Sequence, residues 1–288
     1  MLTLSKMTLV SAGWNEFGQL GREGDSKTLL PVDIPPSEFK CFAAGQLHSV
    51  AVTNNGEVYG WGSCEDGGLG FPGKPNIQTP TKLDIDQKIQ SVSCGFCNTI
   101  LLAESGDVIV ITDGDPWKAD LPEQAILVCC GYYTLWAAGR SGAIYQCGST
   151  KEEAVTKYEI PVKPIQLVAG NGYAVAIGEN GDAYGIGDVV SGQPDSGNTF
   201  LQIESLKGIK IKKVSSFDSH CIAISTAGQA YAFGSGGQGR LGLGGCDNAP
   251  TFQQLTCFDS NKVIDASAGS SHTCFIMSDF SVYGCGNN

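Results

Sequence analysis

Residues 44–62 read AGQLHSVAVTNNGEVYGWG, and the pattern of this stretch returns along the chain in one fixed register. With Gly45 taken as position zero, the equivalent residues are Gly95, Gly131, Gly170, Phe217 and Gly269. Glycine returns eleven residues later in five of the six copies, and Phe280 takes that place in the last copy. Successive zero positions lie 36 to 52 residues apart, a spacing typical of solenoid and propeller repeats.

All three histidines of the chain lie three residues after a position zero. Three unrelated catalytic or metal-binding histidines would not share one register, so the sequence predicts that they support the repeat. The residues that we expect to have this structural role are Gly45, His48, Gly95, Gly131, Gly170, His220, Gly269 and His272.

The residues after each zero position are typical of a β-hairpin. A short apolar segment such as residues 49–52 leads into Asn54-Asn55-Gly56, and residues 58–61 form a second strand-like segment. Segments near residues 31–34, 79–83 and 88–92 are the candidates for two further strands. A hairpin alone is marginally stable, so four strands in a unit of this length predict the blade of an all-β propeller.

Three copies continue with a longer glycine motif. Residues 13–21 read GWNEFGQLG, residues 62–70 read GSCEDGGLG, and residues 234–242 read GSGGQGRLG. Together with residues 44–51, these motifs resemble the repeat of the regulator of chromosome condensation family. The resemblance covers essentially the whole chain and implies a β-propeller. The copies between residues 95 and 216 lack both the Gly-Gln-Leu-Gly element and the histidine.

The number of blades has two interpretations. The hairpin occurs in six units, but the pattern of its second strand occurs seven times, because residues 9–13 also carry it. Either six blades close with a redundant terminal strand, or the natural protein is longer and completes the seven that the family resemblance implies. With 42% hydrophobic residues and no linker, we expect residues 1–288 to form one domain.

Composition excludes several classes of partner. No apolar stretch of about 18 residues is present, so we expect no membrane insertion. A formal net charge of −11 would be repelled by phosphates, so we expect no nucleic-acid partner. The cysteines fall at small or apolar positions, such as Cys94 and Cys130 directly before a position zero. Free buried cysteines favour a reducing compartment, the cytoplasm or the nucleus.

The other motifs do not predict a catalytic or cofactor site. Residues 234–239 match the dinucleotide pattern G-x-G-x-x-G but are followed by RLGLGG, which does not begin a helix. Cys94 and Cys97 have no second pair with zinc-site spacing. With the histidines assigned to the repeat and no paired carboxylates, we expect no covalent chemistry, no metal and no cofactor.

The turn before each hairpin is the candidate partner-binding surface. The residues one and two places after position zero should lie together at one mouth of a propeller. From these turns we select Gln46, Phe96, Tyr132, Tyr133, Asn171, Asp218 and Ser270 as partner-binding residues. The three aromatic side chains come from consecutive units and should form one patch, which is typical of a protein interface. The alternative is that these rings fold back over the core.

The resemblance implies guanine-nucleotide exchange on the small GTPase Ran. Our hypothesis is a monomeric protein-interaction propeller that binds a small GTPase of Ran or Rab type and modulates its nucleotide cycle. It would act as an exchange factor or as a bacterial effector in the host cytosol. The alternative hypothesis is a scaffold or protein inhibitor without exchange activity.

Overall fold

The computed structural model describes residues 9–34, 38–65, 67–71, 73–112, 114–190, 197–258 and 261–287. Regular structure in these residues is β-strand, apart from three short 3₁₀ segments at Asp188–Val190, Glu204–Leu206 and Gly237–Gly239. Among the residues described, no helix is long and apolar enough to cross a membrane.

The chain divides into two compact units, of which the first contains residues 1–135 and 147–155. Its strands are β1 Val10–Ser11, β2 Leu30–Pro31, β3 Phe39–Ala44, β4 His48–Thr53, β5 Val58–Gly62, β6 Ile77–Lys82, β7 Ile89–Cys94, β8 Thr99–Ala103, β9 Val108–Ile111, β10 Trp117–Lys118 and β11 Ala125–Cys130. They form a two-stranded sheet of β1 and β2, and four-stranded antiparallel sheets of β3 to β6 and of β7 to β10.

The second unit contains residues 136–146 and 156–288. The remaining strands are β12 Leu135–Gly139, β13 Ile144–Cys147, β14 Thr156–Tyr158, β15 Pro164–Ala169, β16 Tyr173–Gly178, β17 Ala183–Gly187, β18 Leu201–Gln202, β19 Ile211–Phe217, β20 His220–Ser225, β21 Ala230–Gly234, β22 Ala249–Gln254, β23 Val263–Ala268, β24 His272–Met277 and β25 Val282–Gly286. The sheets follow chain order: β11 to β14, β15 to β18 and β19 to β22 have four strands, and β23 to β25 has three.

Each four-stranded sheet is one blade, and the repeat register maps onto it directly. The predicted hairpin forms the second and third strands. Position zero directly follows the first strand in five copies, and Phe217 is the last residue of that strand in the other. In four copies the residue at +3 pairs with a glycine at +17, as His48 does with Gly62 and His220 with Gly234. The segment near residues 31–34 begins at the last residue of the outer strand β2, and residues 79–82 lie in the outer strand β6. Residues 89–92, by contrast, belong to the first strand of the next blade.

The described residues account for both ways of counting blades. Each of the six position-zero turns belongs to its own sheet, and the seventh copy of the strand pattern, at residues 9–13, contains β1 of the two-stranded sheet. Position +11 requires a left-handed backbone, with φ of 81° at Gly56 and 65° at Phe280. That requirement explains the recurrence of glycine there.

Each unit has its own apolar core between neighbouring sheets. The second strand of a blade is buried on both faces, as all five residues of Thr99–Ala103 are. In the first unit, Val50, Leu69, Leu101 and Ile111 belong to one cluster. Burial on both faces requires runs of Val, Ile, Leu and Ala rather than strict alternation. The assignment of residues 1–288 to one domain stays a prediction.

Candidate protein-binding surface

Position-zero glycine is required by the neighbouring turn. In the first unit the Gly45 amide donates to the His48 carbonyl at 2.8 Å, and the Gly95 amide donates to the Asn98 carbonyl at 2.9 Å. A Cβ at Gly45 would collide with the carbonyl oxygen of Gly95, and a Cβ at Gly95 would collide with that of Gly131. The turns at Gly45 and Gly95 therefore approach the next turn more closely than a side chain at position zero would permit.

Backbone hydrogen bonds join these neighbouring turns. The Gln46 amide donates to the Gly95 carbonyl at 3.2 Å, and the Phe96 amide donates to the Tyr132 carbonyl at 3.1 Å. In the second unit the Asn171 amide donates to the Asp218 carbonyl at 2.6 Å. The backbones of these three +1 residues are thus fixed, while their side chains range from half-buried at Gln46 and Phe96 to exposed at Asn171.

The histidines of two blades bind a hydroxyl group of the next blade. Nε2 of His48 lies 2.9 Å from Oγ1 of Thr99, and that hydroxyl donates to the Gly68 carbonyl at 2.7 Å. Because a hydroxyl has one hydrogen, Nε2 of His48 must be the donor to Thr99. His220 and Thr273 repeat this arrangement at 2.8 Å. Burial lowers the pKa of His48 and of His220 to about 4.

The other +3 residues differ in how they meet the next blade. Nδ2 of Asn98 donates to the Tyr132 carbonyl at 3.3 Å. The hydroxyl of Tyr173 lies 2.7 Å from Oγ of Ser216, and burial raises the pKa of Tyr173 well above its usual value. His272 belongs to the last sheet and is exposed. The sequence did not indicate the bonds of Asn98 and Tyr173, because neither residue resembles histidine.

The three predicted aromatic residues lie together on the first unit, and we call them the aromatic cluster. The ring centroids of Phe96 and Tyr132 are 4.7 Å apart, those of Phe96 and Tyr133 are 5.6 Å apart, and those of Tyr132 and Tyr133 are 4.6 Å apart. Tyr133 is 57% exposed, and the other two are half-buried. The rings therefore pack on one another, and part of each remains accessible to solvent.

The remaining candidates divide between the two units. Gln46 lies on the first unit, half-buried, with its Oε1 buried and without a hydrogen-bond partner. On the second unit, Asn171 is exposed, and Asp218 and Ser270 are half-buried. Asp218 has a left-handed φ of 49°, and the Ser270 carbonyl accepts a hydrogen bond of 2.8 Å from Arg240.

A cavity of about 310 Å³ lies beside the candidate residues of the second unit. Its lining includes Asn171, Tyr173, Asp188 and Asn248. The carboxylates of Asp218 and Asp188 also raise the pKa of Tyr173, although burial has the larger effect. Sequence reasoning missed Asp188, which directly follows the +17 glycine of its copy. The negative charge here suits a cationic group of a partner.

The thiols at the position before position zero pack between neighbouring first strands. The Cys94 thiol lies 3.8 Å from the Ala43 carbonyl, and the Cys130 thiol lies 3.2 Å from the Ser93 carbonyl. Burial raises the pKa of Cys94 to about 12 and that of Cys130 well above 9. These cysteines are protonated at neutral pH, and no disulfide forms among the twelve.

Comparison with known proteins identifies the repeat. The family model "Regulator of chromosome condensation (RCC1) repeat" matches residues 9–52, 55–102 and 227–276, and a second model of the same description matches residues 39–67. The human Regulator of chromosome condensation is 24% identical over 313 residues, which cover 96% of this chain and 67% of that protein.

Other relatives are longer proteins. The Ultraviolet-B receptor UVR8 of Arabidopsis thaliana is 25% identical over 88% of this chain. The chain spans 43% of UVR8 and 23% of the human Probable E3 ubiquitin-protein ligase HERC6. It therefore matches less than half the length of either relative.

Solved structures share the fold. Yeast RCC1 (Prp20), in its complex with Kap60, superposes with a TM-score of 0.79 at 20% identity, covering 96% of this chain and 76% of Prp20. Human WBSCR16 superposes with a TM-score of 0.78 at 17% identity, covering 97% of this chain and 88% of that one. The protein thus belongs to the RCC1 repeat family and has its all-β propeller fold.

Proposed function

We propose that this protein binds a small GTPase of Ran or Rab type through the turns that follow its position-zero residues, and modulates the nucleotide cycle of that GTPase. The observation that carries the proposal is the aromatic cluster, three mutually packed rings on neighbouring turns of the first unit. It acts in the cytoplasm or the nucleus, as a monomer.

The aromatic cluster has the physical properties of a binding anchor. Tyr133 is 57% exposed, and its ring packs edge-on against Tyr132 and Phe96, which limits its freedom before a partner arrives. Large rigid side chains lose little conformational entropy on binding, and tyrosine is enriched among interface hot spots. Because adjacent turns are joined by backbone hydrogen bonds, the three rings form a fixed surface.

The relatives support a GTPase as the partner. The bovine Secretion-regulating guanine nucleotide exchange factor is 25% identical over 284 residues, covering 81% of this chain and 61% of that protein. Prp20p of Saccharomyces cerevisiae, which binds Gsp1p and histones, superposes on this chain with a TM-score of 0.77 at 21% identity. With a formal net charge of −11, this chain favours partners with a basic surface.

Nucleotide release tests the proposal. A panel of small GTPases, Ran and Rab proteins included, is loaded with a fluorescent GDP analogue, and release is followed with and without the protein. We expect faster release from one member. Replacing Tyr132→Ala together with Tyr133→Ala should weaken binding to that GTPase at least about tenfold.

Two further variants sharpen this test. Tyr283→Ala removes a tyrosine of similar exposure, 51%, from β25 of the second unit, and should leave binding unchanged. Asp218→Asn keeps a residue that tolerates the left-handed backbone but removes the charge. Loss of acceleration in Asp218→Asn, with binding retained, would assign exchange activity to the second unit. Failure of every GTPase to bind would overturn the proposal.

A scaffold or inhibitor without exchange activity is the second candidate. It is favoured because the chain matches only part of larger enzymes, 23% of human HERC6 and 24% of the mouse Serine/threonine-protein kinase Nek9. An RCC1 repeat region can thus be one segment of a longer protein that is named for a different activity. Binding without faster nucleotide release would select this candidate.

A further inference from the structure

The cavity of about 310 Å³ on the second unit is lined by residues of two blades, the sheet of β15 to β18 and the sheet of β19 to β22. One wall includes Asn171, Tyr173 and Asp188, which come from the first of these blades. The other wall includes Ser235, which follows β21, and Asn248, which precedes β22. A group that enters the cavity would therefore contact both blades.

Asp188 places a carboxylate in the lining of this cavity. Its amide donates to the Gly172 carbonyl at 3.2 Å. A Cβ at Gly172 would lie 2.9 Å from Oδ2 of Asp188, so this glycine leaves the space that the carboxylate occupies. No other copy of the repeat has glycine at +2. Among the described residues, none forms an ion pair or a hydrogen bond with the Asp188 carboxylate, so its oxygens can accept from a partner.

The other charges beside the cavity are mainly negative. Burial raises the pKa of Tyr173, and the charge of Asp218 raises it further. Asp247 directly precedes the second wall and is exposed. Arg240 brings a positive charge, and its Nη1 donates to Oγ of Ser219 at 3.1 Å. Together with the carboxylate in the lining, three negative groups face one guanidinium, so the cavity attracts a cation.

The lining combines apolar walls with hydrogen-bond acceptors. The rings of Tyr173 and Phe233 are buried and lie edge to face, with their centroids 5.3 Å apart. Walls of low polarity strengthen the attraction between a carboxylate and a cation beside them. Oδ1 of Asn248 accepts from the Gly236 amide at 3.0 Å and retains a second lone pair. With Asp188, acceptors thus lie on both walls, which suits the planar fork of a guanidinium better than a lysine ammonium.

We propose that the cavity of the second unit binds an arginine side chain of a protein partner, with the guanidinium at the Asp188 carboxylate. The walls are held in place before the partner arrives, because the Ser235 amide donates to the Ser219 carbonyl at 2.8 Å and the Asn171 amide donates to the Asp218 carbonyl at 2.6 Å. A preformed site lowers the entropic cost of binding. This binding does not require the partner to be a GTPase.

Titration followed by nuclear magnetic resonance tests this proposal, with N-acetyl-arginine methylamide as the probe. The backbone amide signals of Gly172, Asp188 and Ser235 in the full-length protein should shift saturably, with a Kd on the order of 1 mM for a probe of this size. N-acetyl-citrulline methylamide has the same shape without the charge and should bind at least about fivefold more weakly. The corresponding lysine compound should bind about threefold more weakly than the arginine compound.

Variants that change charge but not size locate the guanidinium. Asp188→Asn should weaken the arginine probe about fivefold and leave the citrulline probe unchanged, which closes a double-mutant cycle. Asn248→Asp adds a charge to the other wall, keeps the acceptor for the Gly236 amide, and should strengthen the arginine probe about threefold. Glu179→Gln is the matched control, because it removes an exposed carboxylate of the same unit that is not part of the lining. Unchanged amide signals away from the cavity establish that each variant is folded.

Three outcomes would overturn the proposal. The first is the absence of saturable shifts in the amide signals of the cavity. The second is equal binding of the arginine probe and either the citrulline or the lysine compound, since the cavity would then not select a guanidinium. The third is a preference for arginine over citrulline that persists in Asp188→Asn. Failure of every GTPase to bind would leave these results unaffected, because the probe contains no GTPase.

Discussion

His48 and Tyr173 both lie at +3 of their copies and both contact the next blade, but through different chemical groups. Each lies at the start of a second strand, pairs with a +17 glycine and reaches a hydroxyl group of the following blade. The imidazole of His48 binds Thr99, at +4 of the next copy, whereas the longer phenol of Tyr173 binds Ser216, directly before position zero. A degenerate copy of the repeat can therefore retain its bond to the next blade.

The difference is also one of charge. A buried imidazole can take up a proton, and so become charged, in the mildly acidic pH range in which many proteins are studied. A buried phenol stays neutral across that pH range. Burial lowers the pKa of His48 to about 4 and raises that of Tyr173 well above 10. Blades joined by histidine should consequently be sensitive to acid, and the blade joined by Tyr173 should not.

The largest expected effect is therefore that of pH. His48 and His220 have a pKa near 4 in the folded protein and near 6.5 when unfolded, so the unfolded chain binds more protons as the pH falls. Above pH 6.5 each neutral histidine makes its full contribution to stability. As the pH falls from 6.5 to 4, the free energy of unfolding should decrease by about 3 kcal/mol for each histidine. Urea unfolding at half-unit steps of pH measures this loss. A flat profile between pH 7 and 4.5 would contradict it.

Replacement of His48 at neutral pH should have the next largest effect. His48→Ala leaves a cavity and removes the donor to Thr99, so we expect a loss of about 2–3 kcal/mol in the free energy of unfolding. His272→Ala is the matched control, because that ring is exposed, and it should cost less than about 0.5 kcal/mol. Equal losses would mean that the bond between blades contributes nothing.

The fold was predictable from sequence because the repeat constrains the backbone conformation at fixed positions, and glycine satisfies those constraints. Gly45 and Gly95 recur because a Cβ would collide with the next turn, and position +11 recurs as glycine because its φ is positive. Glycine therefore occupies each of these two positions in five of the six copies, and this recurrence is visible in a single sequence.

The side-chain contacts were less predictable. Adjacent aromatic positions indicated that Phe96, Tyr132 and Tyr133 would meet, but their half-buried state depends on how the three rings stack. The bond from Tyr173 to Ser216 depends on the reach of one side chain, which no residue pattern marks. Asp188 was missed because the candidate residues came only from the turns before the hairpins, although the pairing of Tyr173 with Gly187 brings the next residue, Asp188, beside Tyr173.

Tyr173→Phe gives the smallest effect and the sharpest comparison with His48. It removes one hydroxyl without opening a cavity, and it leaves Oγ of Ser216 with its 3.3 Å contact to the His220 carbonyl. We therefore expect a loss of about 1 kcal/mol in the free energy of unfolding, with Tyr283→Phe, an exposed tyrosine, as the control. Because the phenol is neutral throughout, the loss should be the same at pH 7 and pH 5. A loss that vanished at pH 5 would mean that Tyr173 is coupled to the histidines, and the two kinds of contact between blades would then not be independent.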